Sequence, residues 1–225
     1  MEVKKKCIFF PLMGDYDDLK EPEYITPGWD YICFTNNPKL KSKNIDIRFV
    51  EDKELDNPRF SRKIAILYHR YVGEYDLSIS TGAQMQATCN LDHFVDKFLP
   101  KDESFDMSLA NHPSRDCIYE EAKKCYKRDN PNTIKKQMEF YEKEGCPKHN
   151  GLIASGIVIR RHHRKNLEDH CQKWWEQLLK YSFRDQLSFN YVLWKYKLVK
   201  INYFSYDILR GKGGYFKKHQ HKRKK

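Results

Sequence analysis

The sequence predicts an α/β fold: a mixed sheet flanked by helices in a single domain. Three observations carry this. Apolar runs of strand length, bounded by turn residues, alternate with segments of helical period. The length of 225 residues suits one domain better than two. With 40% hydrophobic, 14% aromatic and 32% charged residues, the composition is that of a packed core under a wet surface.

The elements follow in order. KKKCIFFPL (4–12) is an apolar strand that ends at Gly14 and an acidic loop. WDYICFT (29–35) is a second strand, stopped by Asn36, Asn37 and Pro38, and IDIRFVE (45–51) is a third. Asn57-Pro58 then starts a helix, with Ile64, Leu67, Tyr68 and Tyr71 on one face. YDLSIS (75–80) reads as a buried central strand running into Thr81 and Gly82. LDHFVDKFL is a short helix ended by Pro100, and FDMSLA (105–110) is another strand. Residues 115–144 are helical, broken in two by Pro131. GLIASGIVIRRH (151–162) returns to strand, 166–181 and 185–196 are helices, and 198–204 closes the sheet. The domain spans 1–216. The basic run 217–225 is expected to be a mobile tail.

The net charge is +11, which implies an anionic partner: a nucleotide diphosphate, nucleic acid, an acidic glycan or a membrane face. Nucleic acid is disfavoured, because the basic residues are mixed with 31 acids and no nucleic-acid motif is present. Seven scattered cysteines without a CxxC read as reduced thiols, so a cytoplasmic location is expected. Neither a signal peptide nor an apolar run of membrane-spanning length is expected. The tail is compatible with weak peripheral contact at the inner face of an anionic membrane.

Ligands of open α/β sheets bind outside the carboxyl ends of the strands. The polar residues expected there are Gly14, Asp15, Tyr16 and Asp17, then Thr35 and Asn36, then Gly82 and Gln84, then His112 and Arg115, and finally His162. Each alone reads better as a loop residue, polar because loops are; their convergence is the signal. Arg62 and Lys63 offer a bidentate grip and a point charge for a diphosphate, or a solvated helix face. In HPSRDCIYEEA, Arg115, Asp116 and Glu120 either meet a ligand or serve the helix dipole. Asp185, in RDQLSFNYVLW, is a helix cap or a base acting on a sugar hydroxyl. The Gly-rich RGKGGYF lacks the Walker pattern and is a weak phosphate signal.

Taken together, GDYDDLKEP (14–22), GWDYICFTNN (28–37), NPRFSRKIAILYHRY (57–71), HPSRDCIYEEA (112–122), GLIASGIVIRRHH (151–163), WWEQLLKYSFRDQLSFNYVLW (174–194) and GGYF (213–216) resemble one family. It is the bacterial and plant glycosyltransferase-like family of TOD/MUCI type, long classed as a domain of unknown function. The resemblance implies a GT-A-like, Rossmann-type sheet that binds a nucleotide-sugar. It implies transfer of the sugar to a glycan or lipid-linked acceptor in polysaccharide biosynthesis, such as capsule or O-antigen. By it, Gly14, Asp15, Tyr16, Thr35, Asn36, Arg62, Lys63, Gly82 and Gln84 would face the donor. Asp185, His112 and Glu120 would be catalytic, and Arg115, Arg184, Gln186 and His162 would contact acceptor or diphosphate.

One departure from the family pattern matters. Where the family carries a Trp-Ile-Asp-Gly-Asn variant of the DXD motif, this chain reads Ser80-Thr81-Gly82-Ala83-Gln84. The carboxylate that would hold a divalent cation, Mn or Mg, on the donor diphosphate is replaced by Gly82. Two readings follow: a transferase that neutralises the diphosphate with basic side chains, or a pseudo-enzyme that keeps only nucleotide-sugar or glycan binding.

Overall fold

A computed structural model describes residues 4–222. Its centre is a seven-stranded sheet built from β1 (Lys6–Leu12), β2 (Trp29–Thr35), β3 (Asp46–Phe49), β4 (Leu77–Thr81), β6 (Met107–Asn111), β7 (Ile153–Arg161) and β8 (Ile201–Phe204), in the order β3-β2-β1-β4-β7-β6-β8. β7 runs antiparallel to both β4 and β6, while the remaining neighbours pair in parallel. The carboxyl ends of six strands therefore share one edge with the amino end of β7. A separate two-stranded ribbon pairs β5 (Met85–Ala87) with β9 (Phe216–Lys218).

Successive strand side chains point to opposite faces, so the near-continuous apolar strands feed two cores. Phe9 and Phe34 pack into one, under α1 (Asn57–Ile66), α3 (Ile118–Cys125), α4 (Pro131–Lys143), α5 (Lys165–Lys180) and α6 (Gln186–Tyr196). Ile8, Phe10 and Cys33 pack into the other, with α2 (Leu91–Phe98) and Phe216. The helix breaks fall where the residues demand them. Asp56 caps α1 by accepting from Arg59 N, and Asn130 caps α4 ahead of Pro131. Trp174 on α5 is buried, and its indole donates to the Asp185 carbonyl at 3.0 Å, which ties the core to the start of α6.

Two expectations are corrected by this topology. Because β7 is antiparallel, its carboxyl end lies at the edge opposite the polar loops, and His162 goes with it. There His162 is buried, exchanging a hydrogen bond with Ser78 Oγ at 2.8 Å and packing on Tyr68 with ring centroids 4.5 Å apart. The expected mobile tail is corrected as well: residues 216–218 form β9, and His221 and Lys222 are held against the domain by Asp17 and Asp18. Residues 223–225 lie outside the described residues. All seven cysteines are free, and six are buried. Among the described residues no helix is long and apolar enough to cross a membrane.

Candidate functional site

The carboxyl edge of the sheet gathers three groups of polar side chains. At the ends of β1 and β2, the Gly14 backbone N–H donates to Asn36 Oδ1 at 2.7 Å, and Asn36 Nδ2 donates to Asn57 Oδ1 at 3.0 Å. Asn36 thus ties two strand ends to the first turn of α1. Gly14 has φ +58°, and a Cβ there would lie 3.1 Å from the Asn57 amide, so both conformation and space favour glycine. Asn36→Ala breaks both bonds; at this partly exposed position it is expected to cost about 1–2 kcal/mol, or roughly 2–8 °C in melting temperature. A thermal melt checks it.

The centre of the edge is built on an irregularity in β7. Opposite β6 the register shifts between Leu109 and Ala110, which leaves Ser155, Gly156 and Ile157 outside that pairing. Such a bulge re-aims a side chain, and Ser155 Oγ reaches Asp185 Oδ2 at 2.5 Å. Asp185 has helical φ and ψ. Its Oδ1 accepts from the adjacent Gln186 N at 3.0 Å, rather than from the N2 or N3 amide of a regular cap. Its second oxygen is therefore free for Ser155 and for Arg62 Nε, 3.3 Å away. That approach is an ion contact without hydrogen-bond geometry, since Arg62 Nε has no hydrogen-bond partner. Asp185 is 5% exposed, so its charge acts in a dry setting. Gln186 donates to the Ile153 carbonyl at 3.0 Å, and Arg184 donates to Gln186 Oε1 at 3.3 Å.

Beyond β6, His112 and the start of α3 form the third group. His112 Nδ1 accepts from Arg115 N at 3.1 Å, so that nitrogen is committed to holding the loop. Nε2 faces Arg115 at 3.2 Å and Glu121 at 3.9 Å. Burial, with the Arg115 guanidinium beside it, holds the imidazole pKa below its ordinary value and keeps it neutral. Arg115 pairs with the buried Glu121 at 2.6 Å.

Several sequence expectations change here. Glu121, one residue after the expected Glu120, is the acid of this group, while Glu120 is exposed on the helix. Lys63 spends its charge on Asp52, 2.7 Å away, and does not stand free for a phosphate. Thr35 is fully buried; its hydroxyl accepts from Asn37 N and its carbonyl from Val50 N. Asp15 and Tyr16 are exposed at the rim of the edge. The residues the edge brings together are Gly14, Asn36, Arg62, Gly82, Gln84, His112, Arg115, Arg184, Asp185 and Gln186. Asn57, Ser155 and Glu121 join them unforeseen. Gly156 inside an apolar strand was the sequence signal for the bulge.

At Gly82, where the resemblance leads one to expect a DXD-type acid, a Cβ would meet the Gln84 amide oxygen at 2.3 Å. The Gln84 side chain therefore fills the space that a side chain at position 82 would take. Among the described residues no three His, Cys, Asp or Glu side chains converge on one point. A divalent cation on a nucleotide is held by one or two carboxylates together with phosphate oxygens, and at positions 80–84 this chain offers no carboxylate.

A cavity of about 370 Å³ opens at the opposite edge beside Trp29, Asp46 and Tyr75. Its polar groups are already paired, Tyr75 with Asp30 at 2.7 Å and Arg48 with Asp46 at 2.8 Å. We therefore place the site at the carboxyl edge despite that cavity's size.

A mostly parallel sheet with helices on both faces and a polar carboxyl edge defines the class: an α/β fold of the GT-A-like glycosyltransferase kind. The chain belongs to the TOD1/MUCI70 glycosyltransferase-like domain family, whose model matches residues 44–212. That match begins after β2, so it does not reach Gly14 or Asn36. Among solved structures, the WbbM bifunctional glycosyltransferase in its apo form is similar at 11% identity with a TM-score of 0.54. The alignment covers 92% of this chain but 40% of WbbM, so this protein spans less than half of that one. Mouse xyloside xylosyltransferase 1, also apo, is 10% identical with a TM-score of 0.46, over 97% of this chain and 95% of that one. No curated protein matches the sequence.

Proposed function

We propose that this protein transfers a sugar from a nucleotide-sugar donor to a hydroxyl of a glycan or lipid-linked acceptor. The observation that carries the reading is the buried Asp185 on the carboxyl edge, held by Ser155 and paired with Arg62. In the proposed reaction the acceptor oxygen forms the new bond to the sugar's anomeric carbon as the bond to the diphosphate breaks. The acceptor proton passes to Asp185, which the hydroxyl reaches by taking the place of Ser155. The leaving nucleoside diphosphate carries the negative charge away, and Arg62 is the guanidinium nearest that centre to stabilise it. His112, neutral and fixed through Nδ1, presents Nε2 to an acceptor hydroxyl beside Arg115. No step in this scheme runs through a metal ion. A cytoplasmic site of action, with peripheral membrane contact through the basic end of the chain, fits the scattered free cysteines and the +11 charge.

One observation favours a second reading, a nucleotide-sugar- or glycan-binding pseudo-enzyme: glycine stands at position 82, where the resemblance leads one to expect an acid, and the Gln84 side chain lies over it. A thermal-shift screen against UDP, GDP, CMP and their sugars, with and without manganese, tests the shared part of both readings. Stabilisation by one nucleotide, unchanged by manganese, is the expected result. No shift with any nucleotide counts against both.

A further inference from the structure

The cavity of about 370 Å³ lies at the amino ends of β2 and β3. Three aromatic side chains line it, Trp29, Tyr31 and Tyr75, each almost wholly buried. Each is fixed by its polar end. The Trp29 indole donates to Asp92 at 2.9 Å, and Tyr75 donates to Asp30 at 2.7 Å. Tyr31 accepts from Thr26 N and donates to the Tyr24 carbonyl, both at 3.1 Å, which holds the loop 24–26 beside the opening. On that loop Tyr24 and Ile25 are exposed, and Ile25 lines the cavity.

The polar wall stands on the first residues of β2 and β3. Asp30 gives one carboxylate oxygen to Tyr75, and Asp46 gives one to Arg48 Nε at 2.8 Å. Among the described residues the second oxygen of each has no partner, and both residues are exposed. An ionised carboxylate accepts at about four sites, so this pairing fixes its direction without exhausting it. Arg48 is held in turn by Glu74 at 3.1 Å and the Tyr71 carbonyl at 3.4 Å. Asn44 adds an amide to the lining.

These groups select the charge of an occupant. Asp30, Asp46 and Glu74 repel an anion, which disfavours a nucleotide or phosphate here. Asp46 and Glu74 already share the Arg48 charge, and that guanidinium opposes a second cation. A neutral molecule rich in hydroxyls meets neither penalty. Its hydroxyls donate to the free carboxylate oxygens and accept from the Asn44 amide. Its apolar face suits Ile25. The volume agrees, since pockets for small ligands begin at about 300 Å³.

We propose that this cavity is a second binding site, which takes one neutral sugar unit of a glycan through Asp30, Asp46 and Asn44. β1 and β2 are seven residues long, so at about 3.3 Å per residue the two edges of the sheet stand roughly 20 Å apart. A glycan held here does not compete with a donor at the carboxyl edge. The site rests on its own geometry; only its service to sugar transfer rests on the transferase reading.

The test is an NMR titration of the isotope-labelled protein, followed through its backbone amides. The probes are the methyl glycosides of glucose, galactose, mannose and N-acetylglucosamine, with methyl glucuronide and putrescine as anionic and cationic controls. A neutral glycoside is expected to shift the amides of 29–31 and 46–48 saturably in the millimolar range, and neither control to do so. Asp30→Ala/Asp46→Ala is expected to bind that glycoside tenfold or more weakly. The same variant is expected to bind nucleotide as the wild type does, which shows that it is folded. Wild-type amides at 29–31 and 46–48 that respond to no neutral glycoside, or only to a control, overturn the site. Shifts that Asp30→Ala/Asp46→Ala retains in full overturn it too. Shifts confined to 111–115 and 185–186 overturn it and leave the transferase reading standing. Saturable shifts at the amino edge, in a protein that releases no nucleoside diphosphate from any donor, keep this site and overturn the transferase reading.

Discussion

Asp185→Asn is expected to lower sugar transfer by about a hundred- to ten-thousand-fold, the range by which a positioned acid or base accelerates a reaction. Nucleotide affinity is expected to stay within a few-fold of wild type. The asymmetry follows from the geometry. The Asn amide oxygen still accepts from Gln186 N while its NH2 donates to Ser155 Oγ, and the Trp174 bond goes to the main-chain carbonyl, so the start of α6 keeps its place. What disappears is the proton acceptor and the charge opposite Arg62. Ser155→Ala should leave most of the activity, since the hydroxyl occupies the place the acceptor takes. Steady-state rates and nucleotide dissociation constants for the two variants separate these roles. Equal losses for both would make Ser155 and Asp185 a structural unit with no base in it.

Stability is expected to fall steeply in mild acid. Arg160 is fully buried on β7, bonded to Ser80 at 2.8 Å with its guanidinium over the Tyr68 ring, and among the described residues it has no carboxylate partner. His162 and His170 sit near it. Burial, followed by the Arg160 charge, pushes their pKa values down to about 3 and about 4. Among the described residues the histidines that meet carboxylates are His112, His149, His163 and His221, so neither of these two is compensated. The unfolded chain binds their protons near pH 6.5, well above the folded one. Stability is therefore complete above neutrality and declines as pH falls from about 6.5 towards 4. At pH 4.5 the two together cost about 5 kcal/mol, a large share of the stability of an ordinary domain. Urea unfolding at pH 7.5, 6 and 4.5 reads this loss, and His162→Gln/His170→Gln should flatten it. A midpoint unchanged across that range would remove the argument.

Both effects begin in residues whose neighbours differ in how far sequence reasoning reaches. Strands such as CIFFPL and WDYICF are legible because a buried parallel strand must be apolar throughout. The start of α1 is legible because Asp56 and Pro58 bracket it. Direction is another matter. Nothing in GIVIRRHH says that β7 runs against its neighbours, and that one fact moves His162 to the far edge. On α3 a single-residue phase difference separates Glu120, in solvent, from Glu121, against Arg115. Lys63 looked like a free cation because its partner, Asp52, comes from a loop eleven residues earlier. The basic run after residue 216 read as a solvated end because like charges usually are; Asp17 and Asp18, two hundred residues away, hold it down. Asp185 itself was legible as a first-turn acid. Its orientation by a bulged strand was not, since Ser155 lies thirty residues off.

The central claim is that Asp185 and Arg62 form a working transfer site at the carboxyl edge. It is tested most directly by incubating the purified protein with each of a panel of nucleotide-sugars and measuring release of the free nucleoside diphosphate. Wild type is expected to release it from one donor class without added manganese, and Asp185→Asn to fall at least a hundredfold below wild type. Release by the wild type matched by the Asp185→Asn protein would contradict the account.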